Sequence, residues 1–411
     1  MTNGSAIASQ KNSVLISGIG VAGPALAYWL ALYGFKTTLV EKAQHLRTAG
    51  YVIDFWGRGF DVAEKMEILP AIKREGYDIK ELRIVGASGR RIGGFSADVF
   101  RSATNGRYVS IPRGELAKII YQKIECHCET IFGDSVKKID QDEDRVRVHF
   151  EREPPRDFEM VIGADGLHSV VRKLVFGNDD RFEKYLGYMV AAFSVKAYRP
   201  RDEDVYVSYS LPGKQVARFA MRDDRTMFLF VFANHQGRQI DPQNTNAHKD
   251  TLRAEFGQAG WECPRILAAL EFCNELYFDR VSQIQMDTWS QGRVGLIGDA
   301  AFCPSLLAGQ RAALAMIAAY VLAGELGRTG GRPQEAFERY EHRLHPFIAG
   351  KQKAAMQFAG SFAPKTRLGL FFRNQITKTF KLPFIAGLAM GPSLFDRVDL
   401  PDYPVPQNAP F

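Results

Sequence analysis

The chain has 411 residues, 46% of them hydrophobic and 24% charged, and a formal net charge of +7. That length supports two domains around a large core, and the composition is that of a globular enzyme. The positive charge is dispersed rather than interleaved with aromatics as a nucleic-acid groove requires, and no apolar run reaches the roughly 18 residues of a bilayer span. The N-terminal MTNGSAIASQKN has no apolar signal core. Five scattered cysteines (Cys126, Cys128, Cys263, Cys273 and Cys303) form no disulfide framework and point to a reducing, cytoplasmic compartment. Cys126-His127-Cys128 lacks a second ligand pair, so no metal site is expected.

Residues 1–12 read as a tail. Ser13 to Ser17 is an apolar, β-prone run suited to a buried parallel strand, and Gly18, Gly20 and Gly23 follow at the spacing G-x-G-x-x-G. The first glycine allows a tight turn, the second lets a pyrophosphate approach the backbone, and the third lets the next helix pack on the strand. Ala25, Leu26, Trp29, Leu30 and Tyr33 recur at helical spacing before Gly34. A second strand, Lys36 to Val40, runs into Glu41 and Lys42. Glu41 lies 18 residues after Gly23, where a carboxylate accepts a hydrogen bond from a ribose hydroxyl.

Further along, 50–60 reads as a short strand and glycine turn, 80–112 as short strands with a hairpin at Ser88-Gly89-Arg90, and 113–124 as a helix opened by Arg113. A buried strand at 159–162 ends in Gly163-Ala164-Asp165-Gly166. From 183 to 234 the pattern turns to period two over four segments with no glycine-rich phosphate turn, which predicts an antiparallel sheet. Helical sequence at 247–272 and a strand at 275–285 follow. The run GRVGLIGDAAF then carries Gly298 and Asp299 after a buried strand. Long helices at 309–328 and 332–353, a basic aromatic helix at 365–380 and a Pro/Gly-rich tail complete the chain.

The fold expected is α/β: a Rossmann-type nucleotide domain with a mostly parallel sheet, an antiparallel substrate domain and C-terminal helices. The nucleotide domain is discontinuous, 13–180 and 275–350, around a β-rich insert at 181–274, with 351–411 as C-terminal helix and tail.

Four motifs in this order, the glycine turn, Arg113 in RGELAKII, GADGLHSVVR and GRVGLIGDAAF, carry a resemblance over roughly residues 13–360. The chain resembles the single-component FAD-dependent aromatic hydroxylases with the p-hydroxybenzoate hydroxylase fold, and within them looks most like the tetracycline-inactivating monooxygenases. The resemblance implies that Gly18, Gly20 and Gly23 cradle the FAD pyrophosphate, Glu41 and Lys42 lie at the adenosine ribose, and Arg113 reaches phosphate and ribitol. It implies that Gly298 and Asp299 contact the ribitol, that Asp165 serves FAD and NADPH, and that Gly309 lies near the flavin ring. The implied activity is hydroxylation of a polycyclic aromatic or polyketide-like small molecule, with NAD(P)H and molecular oxygen, through a flavin C4a-hydroperoxide.

The chain departs from that family beside the flavin. Leu306 stands where a proline is usual, Ala49 where a small turn glycine is common, and Gly309-Gln310-Arg311 replaces G-Q-G. Arg311 either places a cation at the pyrimidine edge or fills the space of the isoalloxazine ring. The second alternative describes a protein that has lost redox chemistry and catalyses a cyclisation or rearrangement of a natural product, or only binds it. Phe302, after the Gly-Asp turn, is the candidate substrate wall. Arg218, on a strand with Val216 and Ala220 on its face, points into the substrate cavity or into solvent.

Overall fold

The computed structural model describes residues 12–47, 51–234, 244–273, 275–305, 309–362, 364–379 and 398–406. The expectations for the tail (1–11), Ala49 and Leu306 lie outside the described residues. The strand Ser13–Ser17 is buried throughout and pairs in parallel with Lys36–Glu41 on one side and Met160–Gly163 on the other. Glu129–Phe132 and Val294–Leu296 extend this sheet in parallel, and Ser290–Gln291 closes one edge antiparallel. Burial on both faces explains why these strands are continuous apolar runs rather than alternating ones. Helix Ala22–Leu32 is buried nearly all round, because it lies between this sheet and the long helix Arg311–Arg328.

The second layer is a seven-stranded sheet in the order Tyr277–Ile284, Glu183–Lys196, Arg225–Ala233, Lys214–Ala220, Val205–Leu211, Glu81–Val85, Arg91–Ser96. All neighbours are antiparallel except Val205–Leu211 and Glu81–Val85. The sheet therefore reaches beyond 181–274. The edge of Val205–Leu211 that the insert leaves open is paired by the earlier hairpin 81–96, and Tyr277–Ile284 pairs the opposite side. An unpaired edge exposes a row of backbone donors and acceptors, and these two additions move the edges outward.

Period-two alternation gives this sheet two faces. Val216, Phe228, Phe230 and Phe232 pack under helices Thr245–Phe256 and Cys263–Leu270. Ala192, Phe219 and Met227 face the opposite way, onto Tyr51, Val52 and Ile53. Val52 and Ile53 belong to a two-stranded ribbon, Val52–Trp56 with Tyr108–Pro112, which Tyr51 immediately precedes and whose Phe55 and Ile111 join the core around the parallel sheet. Helix Arg367–Thr379 lies on the hairpin end of the seven-stranded sheet, where a Cβ on Gly93 would come 3.3 Å from Thr377 Oγ1.

Candidate functional site

Three adjacent parallel strands, Ser13–Ser17, Met160–Gly163 and Val294–Leu296, release their turns into one crevice. The turns touch through backbone. At Gly18 (φ +106°) a Cβ would stand 2.6 Å from the Ala164 carbonyl oxygen and 2.8 Å from Asp165 Cα. At Gly23 it would stand 2.0 Å from the Gly18 carbonyl oxygen. Gly298 (φ +61°) fits its turn between two helix starts, with Ala22 Cβ at 3.2 Å and Ala315 Cβ at 3.5 Å from such an atom.

Gly20 differs from these. A Cβ there would meet only the Arg113 Nη2 atom, at 3.4 Å. Arg113 begins helix Arg113–Ile124, and its backbone N–H donates to the Tyr51 carbonyl at 3.1 Å. Among the described residues its guanidinium has no hydrogen-bond or ion-pair partner. Helix Ala22–Leu32 starts beside it with no side-chain cap and no acid in its first turn. An uncapped helix start, a glycine with room above it and an uncommitted guanidinium together fit a pyrophosphate. At the next strand end Glu41 accepts from the N–H of Ile19 and of Ala43, each at 3.0 Å, so the acid is fixed against the glycine turn. Lys42 is exposed.

Across the crevice Arg311 is the first residue of its helix and turns back onto Asp299. Its Nε donates to Asp299 Oδ2 at 2.8 Å, its Nη2 donates to the same oxygen, and its Nη1 reaches the Tyr51 hydroxyl at 3.3 Å. Burial pushes the Asp299 carboxyl up, but the Arg311 guanidinium, with Arg113 farther off, outweighs it and holds the carboxyl below its ordinary value. Tyr51 packs on Tyr277 with ring centres 5.6 Å apart. Burial above all pushes the Tyr277 phenol well up, so it is a neutral wall. Gly309 (φ +70°) leans on Trp56, whose Cη2 would be 3.1 Å from a Cβ there.

Two of the sequence candidates, Arg218 and Phe302, sit elsewhere than expected, and Asp165 keeps its place on the crevice turn. Arg218 shares its strand face with Val216, which is the helix-covered face, so it does not reach the crevice. It is 3% exposed and donates to Asp202 Oδ2 at 2.7 Å, Glu262 Oε1 at 3.1 Å and the Pro200 carbonyl at 2.9 Å. Phe302 is 2% exposed and packs on Trp289 with ring centres 4.7 Å apart, because an uncharged ring is drawn into the core while Asp299 stays at the crevice with its ion pair. Asp165 spends its carboxylate on its own turn, accepting from Ser169 Oγ and from the N–H groups of Val170, at 2.8 Å, and Val171. Burial leaves its carboxyl raised despite those donors.

Tyr51 and Tyr277 were not singled out from sequence, nor was Arg172 given a role. Arg172 is fully buried and binds the carbonyls of Leu167 and Ala300 and the Asp179 carboxylate. It thereby ties the Asp165 turn to the Asp299 turn. Its position in GADGLHSVVR was the available signal. The tyrosines carried none, being 226 residues apart.

The architecture and crevice define a flavin-binding α/β enzyme, and comparison with known proteins agrees. The profile of the FAD binding domain family matches residues 11–355, and the chain belongs to that family. A flavin-dependent monooxygenase from an unknown prokaryotic organism is 34% identical over 392 residues, covering 95% of this chain and 98% of the relative. The tetracycline destructase Tet(55) superposes with a TM-score of 0.80 at 31% identity over 95% of this chain and 99% of its own. Tet(51) does so at 0.80 and 29%, over 96% and 99%. The chain is accordingly an FAD-dependent monooxygenase of the single-component type.

Proposed function

We propose that the protein hydroxylates a polycyclic aromatic or polyketide-like small molecule, using NADPH and molecular oxygen. The observation that carries the reading is the Arg113 guanidinium lying over Gly20 beside an uncapped helix start, which is a cradle for a dinucleotide pyrophosphate. In this reading Gly18, Gly20, Gly23 and Arg113 hold the FAD diphosphate, Glu41 with Lys42 beside it holds the adenosine ribose, and Asp299 holds the ribitol. Both Arg311 hydrogen bonds to Asp299 land on Oδ2, so one carboxylate oxygen stays outside the ion pair. Gly298 and Gly309 keep side chains away from the ring, and the Asp165 turn props the glycine turn. Bound there, FAD would supply the redox chemistry, taking electrons from NADPH and activating oxygen for transfer to an electron-rich carbon.

The antiparallel layer is the substrate side, and the division into nucleotide and substrate parts follows the two sheets. Phe219, Met227 and Tyr277 present an apolar, aromatic surface to the ribbon, which suits a flat polycyclic molecule and excludes water. The destructases among the similar structures take tetracyclines by name, which agrees with this substrate class. The redox-silent alternative is disfavoured because Arg311 is held on Asp299 and Tyr51. The purified protein, saturated with FAD and desalted, is expected to be yellow. A tetracycline or hydroxyanthraquinone that fits should accelerate NADPH oxidation and gain one oxygen atom. A colourless protein that transforms such a compound without NADPH would overturn the reading.

A further inference from the structure

Strand Val52–Trp56 carries Val52, Asp54 and Trp56 on the face opposite Phe55, which is buried in the core. Val52 is tied to the antiparallel sheet, its N–H donating to Met227 Sδ at 3.2 Å. Trp56 lies on Gly309. Asp54 stands between them on that face. Its Oδ1 atom receives two hydroxyls from the partner strand, Tyr108 at 2.7 Å and Ser110 at 2.5 Å. Oδ2 has no hydrogen bond to any described residue, and Asp54 as a whole is only partly buried. Tyr206, which packs into the same layer from the sheet, feels the Asp54 charge. A carboxyl in an apolar layer is costly unless it is used, and two hydroxyls on one oxygen fix the direction of the other. Burial raises the Asp54 carboxyl against the pull of Ser110 and Tyr108, and no cation opposes it.

Resting on the function proposed above, we infer that Asp54 is a substrate-binding residue whose Oδ2 meets a phenolic or enolic hydroxyl, or its keto tautomer, on the polycyclic substrate. A carboxyl suits both partners: ionised it accepts from a hydroxyl, and protonated it donates to a carbonyl. The protein should therefore select oxygenated polycycles over bare ones. A site built to bond a hydroxyl rejects the analogue that lacks it, because its own polar group is then left unpaired.

The test measures dissociation constants for tetracycline, 1,8-dihydroxyanthraquinone and unsubstituted anthraquinone, from the change each causes in the absorption of bound FAD. Wild type is expected to bind the dihydroxy compound at least about tenfold more tightly than the bare one. Asp54→Ala should bring that ratio to within about twofold while FAD content stays unchanged. If Asp54→Ala does not fold, Asp54→Asn carries the test. It keeps the oxygen that Tyr108 and Ser110 bond, replaces Oδ2 by an amide, and should lose most of the ratio. Tyr108→Phe should lose part of it. An FAD-loaded Asp54→Ala or Asp54→Asn that keeps the wild-type ratio overturns the inference and leaves the polycyclic reading standing. So does loss of FAD in place of loss of discrimination. A wild type that binds none of the three compounds defeats the polycyclic reading itself, and this inference with it.

Discussion

In the parallel layer the crevice is made of backbone against backbone. An added carbon on Gly18 would meet the backbone of the Asp165 turn and one on Gly23 the Gly18 carbonyl, while one on Gly298 would stand against the Cβ atoms of Ala22 and Ala315. In the antiparallel layer the facing surface is made of side chains, Phe219, Met227 and Tyr277 among them, packed on a ribbon that is itself only two strands wide. Backbone contacts admit one residue type and tolerate no substitution. Side-chain contacts admit many residues of similar volume and set what is bound rather than whether the fold forms. In the function proposed above these are a rigid cofactor half and an adjustable substrate half, and variants on each side should fail in different ways.

The largest expected effect is at Gly23→Ala. Its Cβ would stand 2.0 Å from the Gly18 carbonyl oxygen, and no flexible side chain is there to yield. The cost exceeds the ~1–3 kcal/mol of ordinary overpacking, so soluble yield should collapse. A folded Gly23→Ala with the wild-type melting temperature would break the contrast between the two layers. Next is Arg218→Ala, on the helix-covered face of the adjustable layer. It leaves Asp202 and Glu262 without their shared cation, and removing one partner of a buried pair costs about 3 kcal/mol. Denaturant unfolding should show that loss while FAD affinity and ligand affinity stay at wild-type values. A shift in ligand affinity instead would return Arg218 to the substrate cavity.

Smaller again, and separating folding from binding within the cofactor half, is Gly20→Asp. Gly20 has open space toward Arg113, so the aspartate is accommodated and pairs with that guanidinium. The chain should fold and melt as wild type does. Its FAD affinity, read by quenching of flavin fluorescence, should fall about 100-fold, near 2.7 kcal/mol, since a carboxylate fills the space and takes the cation proposed above for the phosphate. Unchanged FAD binding would remove Arg113 and Gly20 from the cofactor site.

The contrast between the layers also explains what the sequence disclosed. The strand-turn-helix around Gly18, Gly20 and Gly23 and the strand ending at Glu41 were legible because each is a local device read from spacing, whereas Arg113 and the Gly298-Asp299 turn stood out only through the resemblance to a family. The parity of Arg218 was legible too, since Val216 and Ala220 share its face. Which face the helices Thr245–Phe256 and Cys263–Leu270 would cover was not, because that is decided by packing across the sheet. Phe302 misled for a similar reason: its place after the Gly-Asp turn is local, but the Trp289 ring that draws it inward comes from another segment. Asp54 stood in the sequence without a partner until strand pairing set Tyr108 and Ser110 opposite it.

The last expected effect is a change in pH dependence, at the pair that joins the two halves. Arg311 of the long helix neutralises Asp299 of the cofactor turn and also touches Tyr51 just before the ribbon. Because its folded-state acidity is strengthened, Asp299 contributes stability that is present above the ordinary carboxylate value, ~3.9, and is lost only as pH falls through the lower folded value. In Arg311→Met that opposing charge is gone and burial acts alone, so the carboxyl rises and takes its proton at a higher pH. The sign then reverses. Above the unfolded value the buried, unpaired carboxylate destabilises the fold, and acidification relieves it. Melting temperature measured from pH 7 down to pH 4 should accordingly fall or stay level for wild type. For Arg311→Met it should start lower at pH 7 and close part of the gap as the pH drops. Bound FAD should remain, since Gly20 and Arg113 are untouched. Parallel pH curves for the two proteins would show that Arg311 and Asp299 do not act as a pair. Loss of FAD at every pH would place Arg311 among the cofactor-binding residues rather than at the junction of the two layers.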